Sequence, residues 1–349
     1  MMTQPLLEII ELKAHYATQS GLCRAVDGIS FRIGRGENLG LVGESGCGKS
    51  TLVKSIIKVF PKNFQIEGGK ILFEGKDLVP LSYDQMRKVR WKKISVIPQS
   101  AMNALNPVYR VGYQIKEAIM EHENLSHKEA EERITELFAL VGIDPRRAEE
   151  YPHQFSGGMK QRVNIALALA LNPLLIIADE PTTALDVIVQ DQIFQRILRI
   201  QRKFNCSMLL VTHDISLVAE NCDKMAVMYA GKIMEYSDVR HVLNNPYHPY
   251  TLGLKNAFPD INRSKDQPLI SIPKSPPSMI DPPRQCRFCS RCPFSVKICW
   301  KEEPEIIEIE QNHFVACHRL DEVDEMRENS TKRETWEAVA LESRINNNY

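Results

Sequence analysis

The sequence predicts an α/β fold with a small cysteine-rich extension at its C-terminal end, and three observations predict it. A glycine-rich turn, GESGCGKST, follows the apolar run ENLGLVG and precedes the helical pattern TLVKSIIKVF. Two further short apolar runs, LLIIADEP and SMLLVTHD, alternate with helical segments, which is the pattern of buried parallel strands. Four cysteines then crowd the stretch CRFCSRCPFSVKIC, with a fifth at Cys317.

The 349 residues exceed the size at which a single core stops growing, about 250–300 residues, so one large and one small unit are expected. Lys+Arg and Asp+Glu both total 44, and this balance leaves no global field to recruit nucleic acid or anionic lipid. No nucleic-acid partner is expected. No run reaches the roughly 18 uncharged apolar residues of a membrane span, and MMTQPLLEIIELK lacks the regions of a secretory signal. The expectation is a cytoplasmic chain, free or docked. Cys23, Cys47, Cys206 and Cys222 are scattered and read as free thiols.

Taken in order, LLEIIELKAHY and AVDGISFRI read as antiparallel strands leading into the core strand ENLGLVG. Between Val111 and Ile143 the period becomes helical, with Ile115, Ile119, Ile134, Leu137 and Leu140 among charges, which predicts a helical insert. KMAVMYAGKIMEY reads as a hairpin about Ala230-Gly231. The domain boundary falls near residue 245: residues 1–245 form the main unit with a helical subdomain at about 100–165. Residues 246–320 form a Pro-rich linker and Cys-rich extension, and 321–349 a charged tail read as a solvated, fraying helix.

GESGCGKST, comprising Gly43, Glu44, Ser45, Gly46, Cys47, Gly48, Lys49, Ser50 and Thr51, matches G-x-x-x-x-G-K-[ST] in the required strand-to-helix context. Its glycines let backbone N–H groups wrap phosphates. Lys49 can reach β and γ oxygens, and Ser50 can ligate Mg²⁺. LLIIADEP delivers Asp179 to the carboxyl end of a core strand, where it can hold Mg²⁺ through water while Glu180 polarises the attacking water. An Asp-Glu pair after a strand is by itself more often a solvated loop; a phosphate loop upstream reverses that reading. Ser156, Gly157 and Gly158 open a long apolar helix whose N-terminus aims amides at an anion, although a capped core helix is the plainer account of that triplet alone.

In this order the motifs resemble those of the ABC ATPase family, over residues 5–240. Gln99 in ISVIPQS resembles the Q-loop, FSGGMKQ the LSGGQ signature with Phe155 and Met159 as departures, and TTALD, ending at Asp186, the D-loop. His213 resembles the switch histidine, and Tyr16 sits where the family stacks an aromatic ring on adenine. Without the shared order, Gln99, Tyr16 and His213 would read as ordinary structural residues. The resemblance implies an ABC-type P-loop ATPase with a RecA-like core, an antiparallel β subdomain and a helical subdomain. It further implies catalytic roles for Glu180, His213 and Gln99, with Gln99 also a Mg²⁺ ligand, and a head-to-tail dimer sandwiching ATP between one phosphate loop and the partner's Ser-Gly-Gly turn.

One cassette and no long coiled-coil insertion with a central Cys-x-x-Cys count against the translation-factor and DNA-repair branches and favour a transporter subunit, with a soluble ABC ATPase of iron–sulfur assembly or ribosome type as the alternative. NPYHPYTLGLKNAFP and LISIPKSPPSMIDPP resemble the C-terminal extension of di- and oligopeptide importer ATPases; Ser100, Lys274 and Gln285 depart from that pattern. The resemblance implies two permease subunits docking near Gln99–Ile143, a second and different ATPase subunit, an extracytoplasmic solute-binding protein, and a peripheral position on the cytoplasmic face of the membrane. Peptides are the implied cargo, with nickel and oligosaccharides as alternatives. Cys286, Cys292, Cys299 and Cys317, spaced C-x5-C-x6-C-x17-C, are implied ligands of a [4Fe-4S] cluster. Cys289 lies outside that pattern, and its Cys-x-x-Cys pairs, with His313 and His318 nearby, leave Zn²⁺ and unmetallated thiols open.

Overall fold

The computed structural model describes residues 4–99, 104–181, 187–257 and 270–346. The chain opens with strands β1 (Leu7–Thr18), β2 (Gly21–Ile33) and β3 (Asn38–Val42), then helix α1 (Lys49–Ile57) and strands β4 (Phe64–Phe73) and β5 (Lys76–Asp77). After the short α2 (Tyr83–Arg87) come β6 (Ile94–Ile97), α3 (Val111–His122), α4 (His127–Val141) and α5 (Gly157–Leu169). Next are β7 (Leu175–Asp179), α6 (Val187–Phe204), β8 (Ser207–Thr212), α7 (Ile215–Asn221), and the hairpin β9 (Lys224–Tyr229) and β10 (Lys232–Asp238).

Two sheets result. The antiparallel one runs β2-β1-β4-β5, as the N-terminal strand patterns predicted. In the larger one β3, β8, β7 and β6 lie side by side and parallel, with β9 parallel to β3 on the other flank. Alternate residues of these strands enter different cores: Leu39, Leu41, Ile177 and Val211 pack toward the antiparallel sheet, whereas Val42, Ile176, Met208 and Leu210 pack toward the helices. Burial on both faces explains why these strands read as unbroken apolar runs.

The helical insert forms where the period demanded it. Val111, Ile115 and Ile119 of α3 and Ile134, Leu137 and Phe138 of α4 are buried on one face. Ser126 and Glu129 cap α4 reciprocally, and Gly142 ends it in the left-handed region with φ 69°.

Beyond residue 245 the extension packs directly on the cassette. Helix α8 (Val239–Asn244) closes the cassette, α9 (Pro249–Ala257) packs on it, and the hairpin β11 (Ile307–Glu310) and β12 (His313–Val315) pairs with β10. The extension therefore lengthens the main sheet to eight strands, in the order β11-β12-β10-β9-β3-β8-β7-β6. The Pro-rich stretch instead runs along β2, with Arg24 N–H donating to Met279 O (2.8 Å) and Asp281 N–H to Leu22 O (3.0 Å).

The tail is also corrected. It forms α10 (Val323–Ser330) and α11 (Arg333–Asn346), and these do not fray into solvent: Met326 and Trp336 are buried. The Trp336 indole N–H donates to Ser330 O at 2.9 Å, and Asn256 Nδ2 to the same carbonyl at 2.8 Å. A few apolar residues on one face of an otherwise charged helix suffice to dock it, and the charge total hid that face.

Candidate active site

Four neighbouring strands end on one rim of the sheet, and each delivers a predicted site residue there. The phosphate loop follows β3, Gln99 follows β6, Asp179 and Glu180 terminate β7, and His213 follows β8. This rim is the carboxyl end of the parallel strands, where open α/β sheets collect ligands.

Two glycines of the loop are required by close approach. A Cβ on Gly43 would lie 2.1 Å from Met228 O, and one on Gly48, whose φ is +112°, would lie 2.0 Å from Ala25 O. Lys49 is buried beneath the loop, its Nζ donating to Gly43 O (2.7 Å) and Glu44 O (3.0 Å). A cleft of about 230 Å³ opens above it, lined by Tyr16, Ser45, Gly46, Ser50, Thr51, Gln99 and Glu180. Tyr16 is half-buried, its ring 5.0 Å edge-on to the core residue Phe64 and its hydroxyl 3.4 Å from Thr51 Oγ1, so it bridges the core and the cleft.

Glu180 is the centre of the remaining contacts. Its Oε2 accepts from Gln99 Nε2 at 2.7 Å, and its Oε1 lies 3.4 Å from His213 Nδ1. Its backbone is held at φ 46°, a left-handed conformation unusual for a side-chain-bearing residue, by its N–H bond to Val211 O (2.8 Å). Asp179 is pushed up from the ordinary carboxylate range, first by burial and then by the adjacent Glu180 charge, while a hydrogen bond with Ser50 opposes this. Its Oδ1 is buried without a hydrogen-bond partner. An orphaned carboxylate oxygen beside a serine hydroxyl at a phosphate loop fits a hard, oxygen-seeking divalent cation such as Mg²⁺.

Ser156 caps α5 by accepting from Met159 N–H at 3.4 Å, and it is exposed. With Gly157 and Gly158 it stays outside the lining of the Lys49 cleft. Asp186 lies outside the described residues, as does Ser100.

Sequence reasoning missed a second set of contacts to the loop, all from the extension. Arg291 donates to both Glu44 carboxylate oxygens at 2.9 and 3.0 Å and to Tyr229 Oη at 3.1 Å, and Tyr250 Oη accepts from Glu44 N–H at 3.0 Å. Met279 joins the cleft lining. Arg291 and Glu44 lie 247 residues apart, so no local signal could pair them.

The cysteine segment closes on itself. Cys286, Cys289, Cys292, Cys299 and Cys317 line one small cavity, together with Phe288, Phe294 and His318. Burial, reinforced by neighbouring cysteines, pushes Cys286 up to about 12 and Cys289 and Cys317 up to about 11, with Cys292 also well above its ordinary value. Sulfur donors converging in an apolar cavity suit a thiolate-ligated cationic centre, whose charge would reverse that resistance to ionisation. The cavity lining does not include His313, whose Nε2 is 2.8 Å from Glu235 Oε1; His318 is engaged with Glu302 O at 3.0 Å.

Comparison with known proteins agrees with this fold. A family model described as ABC transporter matches residues 26–183, and one described as the C-terminal region of oligopeptide/dipeptide transporters matches residues 234–299. A probable peptide ABC transporter ATP-binding protein of Sinorhizobium fredii is 44% identical over 321 residues, covering 91% of this chain and 96% of its own. The oligopeptide transport ATP-binding protein OppD of Bacillus subtilis is 44% identical over 318 residues, covering 90% and 89%. Among solved structures, the dimeric post-hydrolysis state of the ATP-binding cassette MJ0796 bound to ADP and Pi has a TM-score of 0.61 at 26% identity. That match covers 67% of this chain and 99% of the cassette.

Proposed function

This chain belongs to the ATP-binding subunits of the oligopeptide/dipeptide ABC transporter family, and from that premise we propose that it drives uptake of di- or oligopeptides through two permease subunits. It is an ATPase. The observation that carries the reading is the meeting of Lys49, Gln99, Glu180 and His213 on one rim, together with an extension of the transporter type.

Each residue then has a task. Backbone amides of the phosphate loop and Lys49 bind the phosphates, and Tyr16 supplies a face for adenine. Glu180, steadied by Gln99 and His213, orients and polarises the attacking water, and His213 supports charge on the transferring phosphoryl group. Ser50, Gln99 and, through water, Asp179 would hold Mg²⁺, which when bound neutralises charge on the β and γ oxygens.

The Ser156-Gly157-Gly158 turn, at which Ser156 is exposed, serves with Asp186 the ATP held by a partner ATPase. Closure therefore depends on nucleotide bound from both sides. That partner is a second, different subunit. Val108, Tyr109 and Tyr113 are about half or more exposed on the helical insert, and the two tyrosine rings stack at 5.3 Å. This apolar patch suits docking of permease segments. Among the described residues no helix is long and apolar enough to cross a membrane, which fits peripheral attachment at the cytoplasmic face. Cys286, Cys292, Cys299 and Cys317 would hold a [4Fe-4S] cluster, one thiolate per iron, that staples the extension.

The test is purification of the intact complex and assay of ATP hydrolysis with candidate solutes and their binding protein. Stimulation by di- or oligopeptides is expected. Copurification with ribosomes or DNA and no permease would overturn the transport reading. A colourless anaerobic preparation holding stoichiometric zinc would overturn the cluster.

A further inference from the structure

A second group of donors lies outside the cysteine cavity, where the extension's hairpin meets the cassette. His241 of α8, Glu310 at the end of β11 and His313 at the start of β12 each bring one donor atom to within 4.8 Å of the other two. His313 is buried, whereas His241 and Glu310 are exposed. The two imidazole rings lie nearly parallel, with centroids 6.3 Å apart at 15°.

The surroundings of His313 distinguish this trio from a chance surface cluster. Buried Glu235 accepts from the backbone N–H groups of Tyr247 (2.9 Å) and His248 (3.0 Å), and its Oε1 is 2.8 Å from His313 Nε2. A carboxylate already accepting from two amides acts as an acceptor toward the ring as well. This network assigns the imidazole proton to Nε2 and leaves the lone pair on Nδ1. Nδ1 is buried and has no hydrogen-bond partner. A buried imidazole nitrogen without a partner has lost its hydration for nothing, unless a cation takes the lone pair. A carboxylate holding the far nitrogen is the arrangement that orients metal-bound histidines. Glu310 is steadied similarly: the Tyr247 hydroxyl donates to its Oε1 at 2.8 Å, leaving its other lone pairs free.

We propose that His241, Glu310 and His313 form a binding site for a divalent transition-metal ion of the Zn²⁺ class, separate from the cysteine centre. Two imidazoles and one carboxylate suit such an ion, with a fourth position left for water. Tetrahedral coordination at about 2.0–2.2 Å requires donors closer than 4.8 Å, and the exposed His241 and Glu310 can move in. The bound ion would fasten the β11–β12 turn to α8, tying the extension to the cassette.

The probe is Zn²⁺ alone, titrated into the full-length chain as purified and into His241→Ala and Glu310→Gln chains. Both substitutions are at exposed positions, so folding is preserved and the cysteine cavity is untouched. The unsubstituted chain is expected to bind one more zinc than either variant, or to bind it at least tenfold more tightly. It should also gain more thermal stability on addition than either variant. Co²⁺ in that site should show weak bands of nitrogen and oxygen ligation without intense thiolate charge transfer. Equal stoichiometry and affinity in all three chains would overturn the proposal, as would an additional ion bearing the thiolate signature.

Discussion

At the scale of single residues, Glu180 concentrates the contacts of the candidate site, since one carboxylate meets Gln99 and His213 while its backbone sits at φ 46°. Glu180→Gln keeps size and hydrogen-bonding capacity but removes the charge proposed to polarise water. ATP binding should persist while turnover falls by about 10²–10⁴-fold, the usual contribution of a positioned base. Nucleotide-binding and steady-state hydrolysis assays on one preparation separate the two effects, and wild-type turnover would count against the assignment. Glu180 was legible in the sequence because the strand LLIIADEP carries it to the rim by local pattern alone. His313 was seen only as a possible ligand of the cysteine centre, because the buried Glu235 that claims its Nε2 is 78 residues away.

At the scale of elements, the extension and the phosphate loop touch directly. Arg291, almost wholly buried, is held between Glu44 of the loop and Tyr229 of β9. Removing it strands a carboxylate and a phenol that were built around its charge, and stranding a partner in this way is the costly half of breaking a buried pair. Arg291→Ala should weaken ATP affinity on the order of tenfold, equivalent to about 1.4 kcal/mol, with partial recovery in Arg291→Lys. ATP titrations of the three chains check this, and unchanged affinity in Arg291→Ala would mean the loop holds its shape unaided. Strands and amphipathic helices could be read from their periods, each being a property of a few consecutive residues. The merging of β12 with β10 could not, because pairing between distant edges leaves no local pattern.

At the scale of the whole molecule, the cassette and extension share one core, which includes Cys286, Phe288, Cys299 and Trp336 alongside the helical insert. Trp336 packs so closely that a Cβ on Gly253 would lie 2.6 Å from its ring. Trp336→Ala should therefore destabilise the chain by about 3 kcal/mol, as buried aromatic truncations do. Thermal unfolding will show it, and an unchanged transition would restore the reading of a solvated tail. The α/β class, the order of the motifs and the gathering of cysteines were all legible from sequence, whereas the docking of the last helices was not, because their composition is mainly charged. The seam between the two ends has a consequence in time. Asp27 waits for Arg287, 260 residues downstream, and Arg32 for Asn312, 280 residues downstream. A chain emerging from the ribosome must carry β2 with these partners missing until residues 287 and 312 have been made. The strands beside the phosphate loop thus become a late checkpoint, and a prematurely ended chain is exposed to proteolysis at its oldest part.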